Sequence, residues 1–128
     1  MNKLIIDVAN KKIFLMIISN ASIYNITHEN TKINYEKLTI IINDFLSSND
    51  IKITNISEIY INQGSGSFAG IRNSMSVVKA FNVAKNIDYY CYNLDDFKDE
   101  KDLSYENIPN LCKKYKIKKN LINPIYIS

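Results

Sequence analysis

Gln63-Gly64-Ser65-Gly66-Ser67-Phe68-Ala69-Gly70-Ile71-Arg72 stands between a strand-like run, Glu58 to Asn62, and a run of helical periodicity, Ile71 to Lys85. Two glycines one residue apart permit positive φ and close backbone approach. Amides at the start of the following helix face outward, and its dipole favours an anion there. Ser65 and Ser67 could add hydroxyl donors. The same glycines also suit a plain tight turn with no ligand. The spacing is no dinucleotide fingerprint, and no Gly-Lys-Ser or Gly-Lys-Thr follows to make a P-loop. Arg72 sits where the dipole does not favour a cation. It points to a specific carboxylate or phosphate partner, or to a contact on another chain.

Upstream, Lys3 to Val8, Ile13 to Ile18 and Ala21 to Thr27 are β-rich runs. Their links are short, which predicts an antiparallel three-stranded meander. Asn34 to Ser48 reads as a helix with Asn34 as N-cap and Glu36 in the first turn. Tyr35, Leu38, Ile41, Ile42, Phe45 and Leu46 form its apolar stripe, with Ile40 opposite. The helix from Ile71 carries Met75, Val77, Val78, Ala80, Phe81, Val83 and Ala84 over more than one narrow stripe. So wide an arc implies packing on two sides or against another chain. Asp88 to Asn93 is a fifth strand, and Asn93 with Asp96 resembles a capping box opening a short third helix. The order β-β-β-α-β-α-β-α predicts an α/β fold, a mixed five-stranded sheet with helices on its faces.

From Lys98 to Asn120 the chain turns polar and Lys-rich, with a weak helix near Tyr105 to Tyr115 and Pro109 at a turn or helix start. Leu121 to Ile127 is extended and interrupted by Pro124.

The 128 residues suit one compact domain. An apolar fraction of 46% supplies a core, and a charged fraction of 23% is ordinary for a globular chain. Sixteen basic residues against 13 acidic give a formal net charge of +3, too mild alone to argue nucleic-acid binding. Cys91 and Cys112 have no metal spacing and read as buried thiols in a reducing compartment. His28, the single histidine, has no second ligand at metal spacing. Asp7 reads as a turn-capping residue, and the turn after it, Ala9 to Lys12, lacks phosphate-loop glycines. With no leader-like start and no membrane-length apolar run, a cytoplasmic protein is expected. Lys113, Lys114, Lys116, Lys118 and Lys119 read as a solvated helix end, with contact to nucleic-acid phosphates as the sharper alternative.

The decapeptide resembles the Gly-Pro-Gly-Ser-Phe-Thr-Gly-Leu-Arg signature of TsaB proteins. Gly64, Gly66, Ser67, Phe68, Gly70 and Arg72 match; Ser65, Ala69 and Ile71 replace Pro, Thr and Leu. Leu4-Ile5-Ile6-Asp7 resembles that family's first strand, and Tyr35-Glu36-Lys37-Leu38 the start of its first helix. Asn93-Leu94-Asp95 is similar to its Ser-Leu-Glu, and Pro124-Ile125-Tyr126-Ile127 to its tail. The resemblance implies one half of an actin-like ATPase (ribonuclease H-like) fold over residues 1–98. Residues 99–128 then form a Lys-rich bridge and tail replacing the second half.

It further implies no catalysis and no cofactor or metal. The function implied is that of a scaffold for a TsaD enzyme, which transfers threonylcarbamoyl to adenosine of tRNA. The docking residues expected on the two helices are Tyr35, Leu38, Ile42, Ile71, Met75, Val78 and Asn82. A TsaE ATPase is a further implied partner, and tRNA is met only through the complex. Two alternatives remain open: a small phosphate- or nucleotide-binding hydrolase built on Gly64 to Gly70, and a homodimer paired through the same helices.

Overall fold

A computed structural model describes residues 1–122 and the backbone of 126–127. The described residues form seven strands: β1 (Asn2–Asp7), β2 (Lys12–Ile18), β3 (Ile23–Glu29), β4 (Ile56–Asn62), β5 (Gly66–Ser67), β6 (Asp88–Tyr92) and β7 (Tyr126–Ile127). The helices are α1 (Lys32–Glu36), α2 (Leu38–Ser48), α3 (Phe68–Lys85) and α4 (Ile108–Lys114). Five strands form one mixed sheet in the order β3-β2-β1-β4-β6. β1, β2 and β3 are the expected antiparallel meander, and β1-β4 and β4-β6 are parallel. The sheet therefore has the mixed five-stranded α/β form that the order of elements predicts. β5 and β7 form a separate short parallel pair, Gly66 opposite Tyr126 and Ser67 opposite Ile127. The expected tail residues Pro124 and Ile125 lie outside the described residues.

Period-two alternation divides the strand side chains between two cores. Leu4, Ile6, Leu15, Ile17, Ile59, Ile61 and Cys91 meet α2 and α3 on one face. Ile5, Met16, Tyr60 and Tyr92 meet Phe97, Ile108, Leu111 and Cys112 on the other. The stretch that composition presents as a Lys-rich bridge thus supplies the lid of the second face. Each Ile or Leu buried there contributes about 1.5–3 kcal/mol of transfer free energy. Pro109 lies in the first turn of α4, as its missing N–H allows.

Several helix boundaries differ from expectation. Thr31, not Asn34, is the N-cap of α1, its hydroxyl accepting from the Asn34 N–H at 3.3 Å. The predicted single helix from Asn34 breaks at Lys37, where the backbone leaves helical geometry (φ −110°, ψ 30°). The Asn93–Asp96 pair does form, the Asn93 N–H donating to Asp96 Oδ2 at 3.1 Å, but it opens a 3-10 turn, Leu94–Phe97, and no α-helix.

Candidate functional site: the glycine loop and the Asp7 cluster

β1 ends at Asp7, whose carboxylate is buried beneath the glycine loop. Its Oδ1 accepts from the Ala9 N–H at 3.0 Å, the expected turn cap. Its Oδ2 accepts from Asn62 Nδ2 at 3.1 Å and from the Tyr105 hydroxyl at 2.7 Å, and Asn10 Nδ2 lies at 3.3 and 3.4 Å from the two oxygens. Donors from β4, the β1–β2 turn and the segment before α4 thus satisfy one buried carboxylate. Such satisfaction is what permits burial of a charge. Tyr105 was not expected here. Its ring stacks on Phe14 with centroids 3.9 Å apart. Burial, then the Asp7 charge and hydrogen bond, push its phenol above the ordinary tyrosine range. No local sequence signal links residues so far apart.

The loop grows out of the same cluster. The Gly64 N–H donates to Asn62 Oδ1 at 3.0 Å, and the Ser67 N–H donates to the Ala9 carbonyl at 3.0 Å. Gly66 lies so close to the β1–β2 turn that a Cβ there would sit 2.3 Å from the Ala9 oxygen. A Cβ on Gly70 would sit 2.3 Å from the Val8 oxygen. Both glycines let α3 and its loop approach the end of β1 at backbone distance. Ser67 is the N-cap of α3, its Oγ accepting from the Gly70 N–H at 3.3 Å. The cap explains why the helix begins at Phe68, three residues before the expected Ile71.

A cleft of about 160 Å³ opens beside the loop, lined by Asn10, Asn62, Gly64, Ser65, Leu94 and Asp95. Nucleotide-sized ligands need roughly 300 Å³ or more. A phosphate there would also meet the Asp95 carboxylate. The tight-turn reading of the glycines is the one this geometry favours. Arg72 is exposed, with its guanidinium 5.9 Å from the centre of the Phe68 ring, a cation–π contact, and it joins no ion pair among the described residues.

Most of the expected docking residues are inside the chain. Leu38, Ile42, Ile71, Met75 and Val78 are all buried in its own core. Tyr35 is half-buried against that core. Asn82 is half-buried and donates to the Ile87 carbonyl at 3.0 Å. The expectation that these apolar side chains face a partner is corrected: α2 and α3 use them against the sheet. What the helices expose is different. Phe68, Arg72, Ser76, Lys79 and Val83, spaced three or four apart, are exposed along α3, with Val83 85% exposed. Ile33 on α1 and Ile40 on α2 are 75% and 58% exposed.

Of the lysine cluster, Lys114 pairs with Glu100 and Lys119 with Asp88. Both cysteines are buried free thiols, as expected, and burial pushes each up to about 12. Among the described residues no three His, Cys, Asp or Glu side chains converge as a metal-ligand set, and no helix is long and apolar enough to cross a membrane.

No family model and no curated protein matches the sequence. Solved structures do match. YeaZ from Pseudomonas aeruginosa superposes with a TM-score of 0.66 over 72% of this chain and 43% of that one, at 15% identity. The fold is a YeaZ fold. A second match is an uncharacterized protein with similarity to peptidase YeaZ from Pseudomonas aeruginosa. It gives a TM-score of 0.67 at 14% identity, covering 77% of this chain and 49% of that one. The chain thus spans less than half the length of either YeaZ-type structure. At such identities the likeness establishes architecture alone.

Proposed function

We propose that this chain is a non-catalytic scaffold that docks on a TsaD-type enzyme and supports its transfer of threonylcarbamoyl to adenosine of tRNA. The observation that carries the reading is the loop itself. Gly64, Gly66, Ser67, Phe68, Gly70 and Arg72 retain the TsaB-like pattern on a YeaZ fold, while the strand-end carboxylate, the capping serine and two of the glycines are engaged within the chain. Asp7 is enclosed by its own donors, Ser67 caps α3, and Gly66 and Gly70 serve backbone packing. A pattern of this kind supports a shaped surface in preference to a reacting centre.

The docking surface is the outer stripe of α3, with Phe68 and Val83 as apolar contacts and Arg72 as the orienting charge. Ile33 and Ile40 extend it onto α1 and α2. Co-expression with a tagged TsaD homologue tests the proposal. The complex should survive gel filtration at micromolar concentration and be lost on Val83→Glu or Arg72→Glu, both at exposed positions that leave the core alone. Failure of the unaltered chain to co-elute sinks the reading. The hydrolase alternative makes the opposite forecast for ligands: ATP, ADP or phosphate would raise the melting temperature, whereas a scaffold shows no shift.

A further inference from the structure

The two edges of the five-stranded sheet are finished differently. At the β6 edge the Asn120 N–H donates to the Tyr89 carbonyl at 2.7 Å, and the Tyr89 N–H donates to Asn120 Oδ1 at 3.0 Å. Lys119 bridges Tyr90 and pairs with Asp88. That edge is covered and charged, as sheet edges usually are. From Ile23 to His28 the β3 edge has no such cover among the described residues, and at Glu29 only the carbonyl is taken, by Asn34 Nδ2 and the Thr31 N–H. Ile23, Tyr24, Asn25, Ile26, Thr27 and Glu29 are exposed, and only His28 is half-buried. The strand has no Pro, no Lys and no bulge, since its register with β2 runs unbroken from Ile23 to Glu29. Its one charge, Glu29, is neutralised by Lys12 of β2.

The hydrogen-bond parity of this strand follows from its two ends. The Ser19 N–H donates to the Ser22 carbonyl, and the Asn30 N–H donates to the Lys11 carbonyl. Antiparallel ladders alternate, so Tyr24, Ile26 and His28 bond inward to β2. Ile23, Asn25 and Thr27 then direct their N–H and C=O groups outward, and Glu29 its N–H, since the Glu29 carbonyl already accepts from Asn34 Nδ2 at 2.8 Å and from the Thr31 N–H at 3.0 Å.

We infer that this edge pairs with a second copy of the chain, β3 against β3 about a two-fold axis through Ile26. In that register Ile23 lies opposite Glu29 of the second copy, Asn25 opposite Thr27, and Tyr24 opposite His28. It is the two-fold register that spans the whole strand: the Asn25 and Thr27 N–H groups of each copy meet the Thr27 and Asn25 carbonyls of the other, and the Glu29 N–H meets the Ile23 carbonyl. No charge faces a like charge, because the single carboxylate of each strand lies opposite an isoleucine. Ile26 meets Ile26 on the α2 side, where it borders a cleft of about 360 Å³ that also includes Ile40 and Phe45. A strand so neutral and regular is self-complementary. Because the β6 edge is closed, the pairing ends at two copies and does not grow into a fibre.

Sedimentation of the pure chain over a range of concentrations tests this. A dimer is expected, and Asn25→Pro should reduce it to monomer: Pro removes an outward N–H and leaves the inward bonds to β2 intact. Circular dichroism of that variant must show a folded chain. If it does not, Ile26→Lys, which changes only an exposed side chain, serves in its place. Hydrogen exchange gives a second readout, with the Asn25 and Thr27 amides protected in the dimer and fast in the variant. A monomer at every concentration overturns the inference. So does a dimer that survives both substitutions, which would belong to the α3 surface instead.

Discussion

Replacing Tyr105 by Phe should cost the protein about 2 kcal/mol, while the same replacement at Tyr92 should cost nothing or stabilise it. The two changes each delete one hydroxyl oxygen from a partly or wholly buried ring. The Tyr105 hydroxyl donates to Asp7 Oδ2 at 2.7 Å, a short bond to a carboxylate. Hydrogen bonds to charged groups contribute about 1.5–3 kcal/mol. The Phe ring keeps the stack on Phe14, so packing loss is small. For a domain of this size each kcal/mol moves the midpoint by roughly 3–4 °C, which puts the expected fall near 6–8 °C. The Tyr92 hydroxyl is buried and has no hydrogen-bond partner among the described residues. Its removal relieves a desolvation penalty of roughly 1–3 kcal/mol. Thermal and urea unfolding of the two variants beside the parent give the comparison, and an Asp7→Asn, Tyr105→Phe cycle isolates the pair term. If both variants fall by similar amounts, Tyr105 does not reach Asp7 and the segment before α4 is not where it has been described.

Gly66→Ala and Gly70→Ala should each destabilise the chain by about 1–3 kcal/mol or more, because the added carbon collides with the rigid Ala9 or Val8 carbonyl; urea midpoints measure this. Raising pH should weaken the fold from about 9 upward. The buried thiols of Cys91 and Cys112 hold their protons to about 12 when folded, against 9.0 free, so their contribution is complete below pH 9 and lost as pH climbs toward 12. The buried phenols of Tyr60 and Tyr105 act in the same direction above pH 10, and unfolding free energy measured between pH 8 and 11 should be level at first and fall steadily above pH 9. The same burial predicts slow labelling of both thiols by a disulfide reagent at pH 8, becoming fast in denaturant.

Much of the sheet is legible in the sequence. The β-rich runs Lys3 to Val8, Ile13 to Ile18 and Ala21 to Thr27, with short links, point directly to the meander, and the glycines after Asn62 point to a turn from strand to helix. The helix surfaces are read less well because apolar content is not orientation. Val78 and Val83 are the same residue type on one helix, five positions apart. A rotation of 100° per residue separates them by about 140°, so one is in the core and the other in solvent. The segment after Lys98 misleads in the opposite sense. Its lysines dominate the composition, yet Tyr105, Ile108, Leu111 and Cys112 are spaced three, three and one apart, enough to seal a sheet face. Of the Asp7 cluster only the turn cap could be read, since the donors Asn62 and Tyr105 come from distant places that only three-dimensional proximity unites with it.

The bond between Asp7 and Tyr105 spans 98 positions of sequence. A ribosome releases the chain from its first residue onward, and domains of this kind form as their parts emerge. The buried residues of the core beneath α2 and α3 run no further than Cys91, with Ile122 only packed against its margin, so it can assemble while the rest is still being made. The opposite side of the sheet, with Ile5, Met16 and Tyr60 already exposed, must wait for residues beyond 105. During that interval a nascent chain presents a bare apolar sheet to its surroundings, and a chaperone would find its grip there.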